Sequence, residues 1–185
     1  MKNNSIEIIK VEEKNKYLDE AFSIARHYNK LVSNPHTRII PYVRERIYII
    51  LALTVYVVSM LIIFKEGMIF NCFVAGFFLF AVIFFLKDII AVHKYISNET
   101  KRDANSVLTI DKEKVTLDNK NNHITYECLW ENIKYILISN YCISFVPISR
   151  DMSRFIITIP IDYKEECFRL LEKYNKMDLV INNKK

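Results

Sequence analysis

Glycine is nearly missing from this chain, which has only Gly67 and Gly76. Phosphate-cradling loops need several glycines, because backbone N–H groups must approach the ligand with no Cβ in the way. A G-x-G-x-x-G fingerprint and a P-loop are therefore excluded. Cysteine is sparse and scattered: Cys72, Cys128, Cys142 and Cys167 form no C-x-x-C and have no histidine at ligand spacing. A zinc site needs donors converging at about 2.0–2.3 Å, so the expectation is no metal and reduced thiols that behave as small hydrophobes. That thiol state fits a cytosolic setting. The signatures G-x-S-x-G, H-E-x-x-H and S-x-x-K are missing too. Glu127 and Glu131 read as a solvated strand end and turn, not as an acid–base pair, and the expectation is no enzyme and no cofactor.

Charge is missing where it matters most. Between Ile47 and Leu86 only Lys65 and Glu66 are charged. They divide this stretch into Ile47–Phe64 and Met68–Leu86, each roughly 18 to 19 residues long, close to the ~30 Å hydrocarbon core at about 1.5 Å per residue. One continuous helix would be twice too long and would strand "KEG" in the bilayer, while Gly67 favours a turn. A soluble core would need a polar face, yet Phe70, Phe73, Phe77, Phe78, Phe80, Phe84 and Phe85 point all round. The reading is a transmembrane helical hairpin.

Arg38, Arg44 and Arg46 precede it, Lys87, Lys94, Lys101 and Arg102 follow it, and the turn offers only Lys65. The positive-inside rule then places both termini in the cytoplasm. No acidic, basic or histidine residue lies deep in either run, which argues against a pump or channel. Cys72 and Gly76 make one small-xxx-small pair, for which packing between the two spans is the simple explanation; homo-oligomerisation stays open. The net charge of +5 does not indicate nucleic acid, because Ser106 to Lys185 is close to neutral and the excess accompanies the spans.

The flanks have soluble periodicities. "SIEIIKV" alternates as a strand, and "YLDEAFSIARHYNKLV" reads as a helix with Leu18, Phe22, Ala25 and Val32 near one face, ended by "NPH". From Ser106 the period becomes two: Val115 and Leu117 share a face, as do Ile124, Tyr126 and Cys128, and Phe155, Ile157, Ile159 and Ile161. Five or six short strands describe an antiparallel meander. "DYKEECFRLLEKYNK" closes it as a helix with Asp162 as N-cap, Glu165 as capping partner, and a stripe of Cys167, Leu170, Leu171 and Tyr174. The division is 1–46 (cytosolic strand and helix), 47–86 (hairpin, 47–64 and 68–86), 87–105 (juxtamembrane linker) and 106–185 (cytosolic domain). The class is an α+β membrane protein with a small antiparallel sheet and a capping C-terminal helix.

An N-terminal strand and helix, two close spans, then "LWENIKYILIS" and "IITIPIDYKEECFRLLEKY" resemble the YcxB-like family of bacterial membrane proteins over nearly the whole chain. The most specific elements are Trp130 with Ile133 three residues on, and Pro160 before the last helix; the family pattern has a basic residue after this proline, where this chain has Ile161 and Asp162. The resemblance implies a pleckstrin-homology-like domain, a bent antiparallel barrel capped by a helix, and a largely unassigned function.

Trp130 is expected as a core anchor in preference to a ligand-stacking ring, with Ile133 and Pro160 as structural neighbours. Arg150 and Arg154 on "ISRDMSRF" are the candidate partner-binding residues, with a plain solvated turn as the simpler reading. The "DKEKV" turn alternates in sign, which disfavours a lipid-headgroup site. Two functions follow. One is a membrane-anchored adaptor or regulatory protein whose cytosolic domain binds a protein or peptide by strand addition; the other is a small immunity or stress protein acting on a toxin or envelope component. The expected location is the inner or plasma membrane, with the lipid bilayer and an unknown protein as partners and no nucleic acid.

Overall fold

The structure, a computed structural model, describes residues 4–63, 68–101, 105–120, 123–149 and 156–183. It is an α+β chain that divides into two compact units, Met1–Ile39 with Thr100–Lys185, and Ile40–Glu99.

The first unit is built on two four-stranded sheets. In one the order is β1 (Ser5–Ile8), β2 (Ser106–Ile110), β3 (Lys114–Asn119), β4 (Ile124–Leu129), all antiparallel. The N-terminal strand thus pairs with a strand about a hundred residues later, Ile6 opposite Leu108 and Ile8 opposite Ser106. In the other sheet the order is β7 (Ile157–Pro160), β6 (Cys142–Pro147), β5 (Ile133–Ile138), β8 (Val180–Asn182). Here β5–β6–β7 is an antiparallel meander, while β8 joins β5 in parallel. That parallel strand departs from the all-antiparallel expectation. Its short run, "VIN", follows the last helix and carries no alternation long enough to read.

The alternating residues explain the core. Ile6, Ile8, Leu108, Ile110, Val115 and Cys128 from one sheet share a buried cluster with Ile136, Ile138, Ile143, Phe145, Ile157 and Ile159 from the other. Helix α5 (Lys164–Lys173) adds Cys167, Leu170 and Leu171 to it. β6 is buried at every position and β5 at all but Lys134. Continuous apolar strands of this kind mean that both faces are covered. The cover on the second face is α1 (Lys14–Arg26) and α2 (Tyr28–Ser33), which bring Ile24, Tyr28 and Leu31 against Tyr135, Leu137, Cys142 and Val146. A bulge between Ile133 and Tyr135 shifts the parity of β5, so that Ile133 and Ile136 face the same core. Lys134 at the bulge points away, and its ammonium donates to the Val32 carbonyl at 2.7 Å.

Two expectations are corrected. The buried face of α1 and α2 is Glu20, Ser23, Ile24, Tyr28 and Leu31, not the Leu18–Phe22–Ala25–Val32 stripe. Polar Glu20 and Ser23 turn inward because hydrogen bonds satisfy them there, and a hydrophobic stripe alone cannot reveal that. Asp162 is not the N-cap of α5: Tyr163 occupies that position with no side-chain cap bond. The Asp162 carboxylate instead accepts the backbone N–H of Glu12 at 2.9 Å.

The second unit consists of α3 (Tyr42–Ile63) and α4 (Met68–Lys101), 22 and 34 residues long. Residues 87–101 of the expected juxtamembrane linker are helical. At about 1.5 Å per residue α4 is about 51 Å long, well beyond the hydrocarbon core.

Candidate functional site

The exposed apolar surface of α3 and α4 is the first candidate. Among the described residues one helix is long and apolar enough to cross a membrane, Cys72–Lys94 within α4, and along it Val92 alone of the described side chains is buried. Phe73, Phe77, Phe80 and Phe84 stand open, Phe73 at 74% exposure. Exposed apolar area on this scale marks an interaction surface. This stretch overlaps the expected Met68–Leu86 span over Cys72–Leu86 and also takes in Lys87 and Asp88. On α3, Leu51, Val55, Tyr56 and Ile62 are also exposed. The end of the expected first span and the "KEG" tip lie outside the described residues.

Polar groups on α3 and α4 are satisfied locally. Thr54 and Ser59 hydroxyls donate to the carbonyls of Ile50 and Val55, both at 2.8 Å, a way to keep a hydroxyl on an apolar helix. One polar knot joins the helices. Tyr42 Oη donates to Asp88 Oδ2 at 2.6 Å, and Arg46 Nη2 lies 3.3 Å from the same oxygen. The Arg46 guanidinium also sits 4.9 Å from the Tyr42 ring centroid and 5.1 Å from that of Phe85. The start of α3 therefore lies beside a point late in α4, which makes the two helices an antiparallel pair. The Cys72–Gly76 pair does not face α3: a Cβ added at Gly76 would meet nothing within 4 Å, and Cys72 is exposed. Packing between the two helices is thus not its explanation.

In the sandwich the most concentrated polar chemistry is buried. Three donors converge on Glu20 Oε2: the Tyr141 backbone N–H at 2.6 Å, the Ser139 hydroxyl at 2.9 Å and the Cys142 thiol at 3.2 Å. Ser139 N–H closes the tight β5–β6 turn onto the Cys142 carbonyl at 2.9 Å. Ser, Cys and Glu side by side can suggest nucleophilic catalysis, but the electrostatics oppose it. Burial, and then the adjacent Glu20 carboxylate, push the Cys142 thiol well above its ordinary range. A thiol held protonated is a hydrogen-bond donor, not a nucleophile. The cluster clasps α1 to the β5–β6 hairpin. Burial likewise pushes Cys167 up to about 12. Among the described residues no group of three or more His, Cys, Asp or Glu could hold a metal ion.

The residues singled out from sequence fall as follows. Trp130 begins a 3-10 turn between β4 and β5 and is 7% exposed. Its indole N–H donates to the Asp111 carbonyl at 2.8 Å, its ring is 6.4 Å from that of Phe145, and Lys176 Nζ caps it at 5.2 Å. Ile133 and Pro160 are buried, and Ile133 belongs to the same core cluster as Trp130. Arg150 and Arg154 lie outside the described residues. Glu127 is ion-paired to Lys114 at 2.8 Å and Glu131 lies in the 3-10 turn. Sequence reasoning missed Glu20, Ser139 and Asp88. For Glu20 the one available signal was an acid four residues before the apolar Ile24 on a helix that must bury a face.

The sheet edges form the remaining candidate surface. β7 is four residues long, and Tyr17 Oη donates to its Thr158 carbonyl at 2.9 Å. β8 is three residues and β1 four. β4 is six residues long and ends its sheet, with Ile124 43% and Leu129 40% exposed.

No family model, no curated protein and no solved structure matches the chain.

Proposed function

We propose that the chain is a two-pass integral membrane protein of the inner or plasma membrane with both termini in the cytoplasm. Its pleckstrin-like sandwich binds a protein or peptide partner in an adaptor or regulatory role. The observation that carries the anchoring is the 23-residue Cys72–Lys94 stretch, apolar and, Val92 apart, not buried. The Tyr42–Asp88–Arg46 knot supports the hairpin, because it sets the entry of α3 beside the exit of the apolar part of α4, as two crossings of one bilayer require. Two sheets sharing one core with a C-terminal helix support the pleckstrin-like and YcxB-like reading.

Binding in place of catalysis is favoured by the chemistry of Cys142, described above. Protein is favoured over lipid headgroup by the β2–β3 turn, where Lys114 is spent on Glu127 and Asp111 and Glu113 offset Lys112. The test is mild-detergent purification of the tagged chain with crosslinking. A defined partner crosslinked to the sandwich supports the reading; a toxin or envelope component crosslinked to the spans or the 65–67 turn would replace it with the immunity role.

A further inference from the structure

We infer that the open edge of β4 is a docking site for an extended peptide that alternates apolar and basic residues. The inference rests on the partner-binding reading above and names its surface.

Sheet edges are usually blunted by shortness, lysine, proline or a bulge, because unpaired backbone N–H and C=O groups template further strands. The edges β1, β7 and β8 are three or four residues long, and a tyrosine occupies a β7 carbonyl. β4 has none of these devices. It reads Ile-Thr-Tyr-Glu-Cys-Leu, rich in strand formers, and pairs with β3 in unbroken register from Ile124 to Leu129. Among the described residues no strand bonds to its outer side.

The two faces beside this edge differ. On the core side are Ile124, Tyr126 and Cys128, and their cover is lost towards one end: Cys128 is buried, Tyr126 half-buried and Ile124 exposed. An added strand would place apolar side chains beside Ile124 and Tyr126 and extend the core. On the outer side the register aligns Glu7, Val107, Asp118 and Thr125 in one row, and Ser5, Thr109, Thr116 and Glu127 in the next. On the two strands nearest the edge, Asp118 and Glu127 face the Lys114 ammonium, which leaves an acidic excess there, so outward residues of the incoming strand are best basic. The same charge disfavours a second copy, since pairing β4 with β4 would set two acidic faces side by side.

The test uses the full chain in detergent with a synthetic eight-residue peptide alternating Val and Lys, followed by hydrogen exchange and by anisotropy of the labelled peptide. The expected result is slowed amide exchange across 124–129, and at least ~10-fold weaker binding both by a Val/Glu peptide and by Glu127→Lys protein. Ile124→Lys should abolish binding while Trp130 emission, the fold reporter, stays unchanged. Equal binding of the two peptides, or no slowing at 124–129 with saturating Val/Lys peptide, overturns the inference. So does slowing without peptide that grows with protein concentration, which would assign the edge to a second copy. A crosslinked partner whose footprint avoids 124–129 overturns this site and leaves the adaptor reading standing; no partner in the crosslinking overturns that reading while the peptide result still decides the site.

Discussion

Trp130 and Glu20 show how single residues hold the sandwich. The Trp130 ring fills the core at the β4–β5 turn while its N–H reaches the Asp111 carbonyl. Trp130→Ala should therefore cost ~3–5 kcal/mol in chemical denaturation. Trp130→Phe keeps most of the apolar area and loses mainly the hydrogen bond, about 1 kcal/mol. As the chain has one Trp, its emission should be blue-shifted when native and turn red on unfolding. Emission already red in the native protein, with free iodide quenching, would move Trp130 to the surface. Glu20→Ala should lower stability by several kcal/mol, since it strands the Tyr141 N–H, the Ser139 hydroxyl and the Cys142 thiol, at ~1–3 kcal/mol for each buried group left unpaired.

The buried thiols also predict a pH dependence. Cys167 is raised from 9.0 to about 12 by burial, and Tyr135 from 10.0 to about 12 by burial and then by Tyr28. Above pH 9 the unfolded chain loses these protons while the folded chain keeps them, so the folded state binds more protons and stability falls as pH rises. Urea midpoints should decline between pH 9 and 12, and Cys167→Ala should flatten part of that slope. A midpoint independent of pH across this window would contradict the burial.

At the scale of elements, the N-terminal segment and the C-terminal strands form one folded body although 60 residues separate them, residues 40 to 99. Besides the β1–β2 ladder, Tyr163 Oη accepts the N–H groups of Ile9 and Lys10, and Tyr28 Oη donates to the Pro147 carbonyl. A fragment starting at residue 105 lacks β1, α1 and α2 and should not fold cooperatively. Replacing residues 40–99 by a flexible Gly-Ser linker should give a water-soluble protein with one cooperative thermal transition. If the two proteins melt alike, the N-terminal segment is dispensable. In the helix pair, Asp88→Ala should lower the thermal midpoint in detergent, by the equivalent of ~1–2 kcal/mol for a partly exposed pair. Asp88→Asn, which keeps an acceptor for Tyr42, should fall between it and wild type.

Much of this was legible in the sequence. Alternation marked β3, β4 and β7, the charge-free runs marked α3 and α4, and the Cys167–Leu170–Leu171 stripe marked the buried face of α5. What was not legible is long-range satisfaction of polar groups. Glu20 turns inward because of Ser139 and Tyr141, Asp162 serves Glu12 instead of capping its own helix, and β8 exists because β5 offers an edge. Each depends on a partner remote in the chain, which no local period encodes.

At the scale of the whole molecule, the proposed reading is a hairpin anchor inserted between two parts of one folded unit. The soluble parts on either side of the hairpin complete one core, so they must lie on the same side of any membrane that α3 and α4 cross. On the proposed two-pass topology, the basic residues flanking the hairpin predict that this side is the cytoplasm. The most direct measurement is sided labelling of intact cells, with reporters fused at Met1 and Lys185 and a cysteine introduced as Lys65→Cys in a Cys72→Ser background. The account predicts that both reporters read cytoplasmic and that an impermeant thiol reagent labels residue 65 from outside. A Lys185 reporter on the outer side, or a residue 65 that reacts only after the membrane is broken, would contradict it.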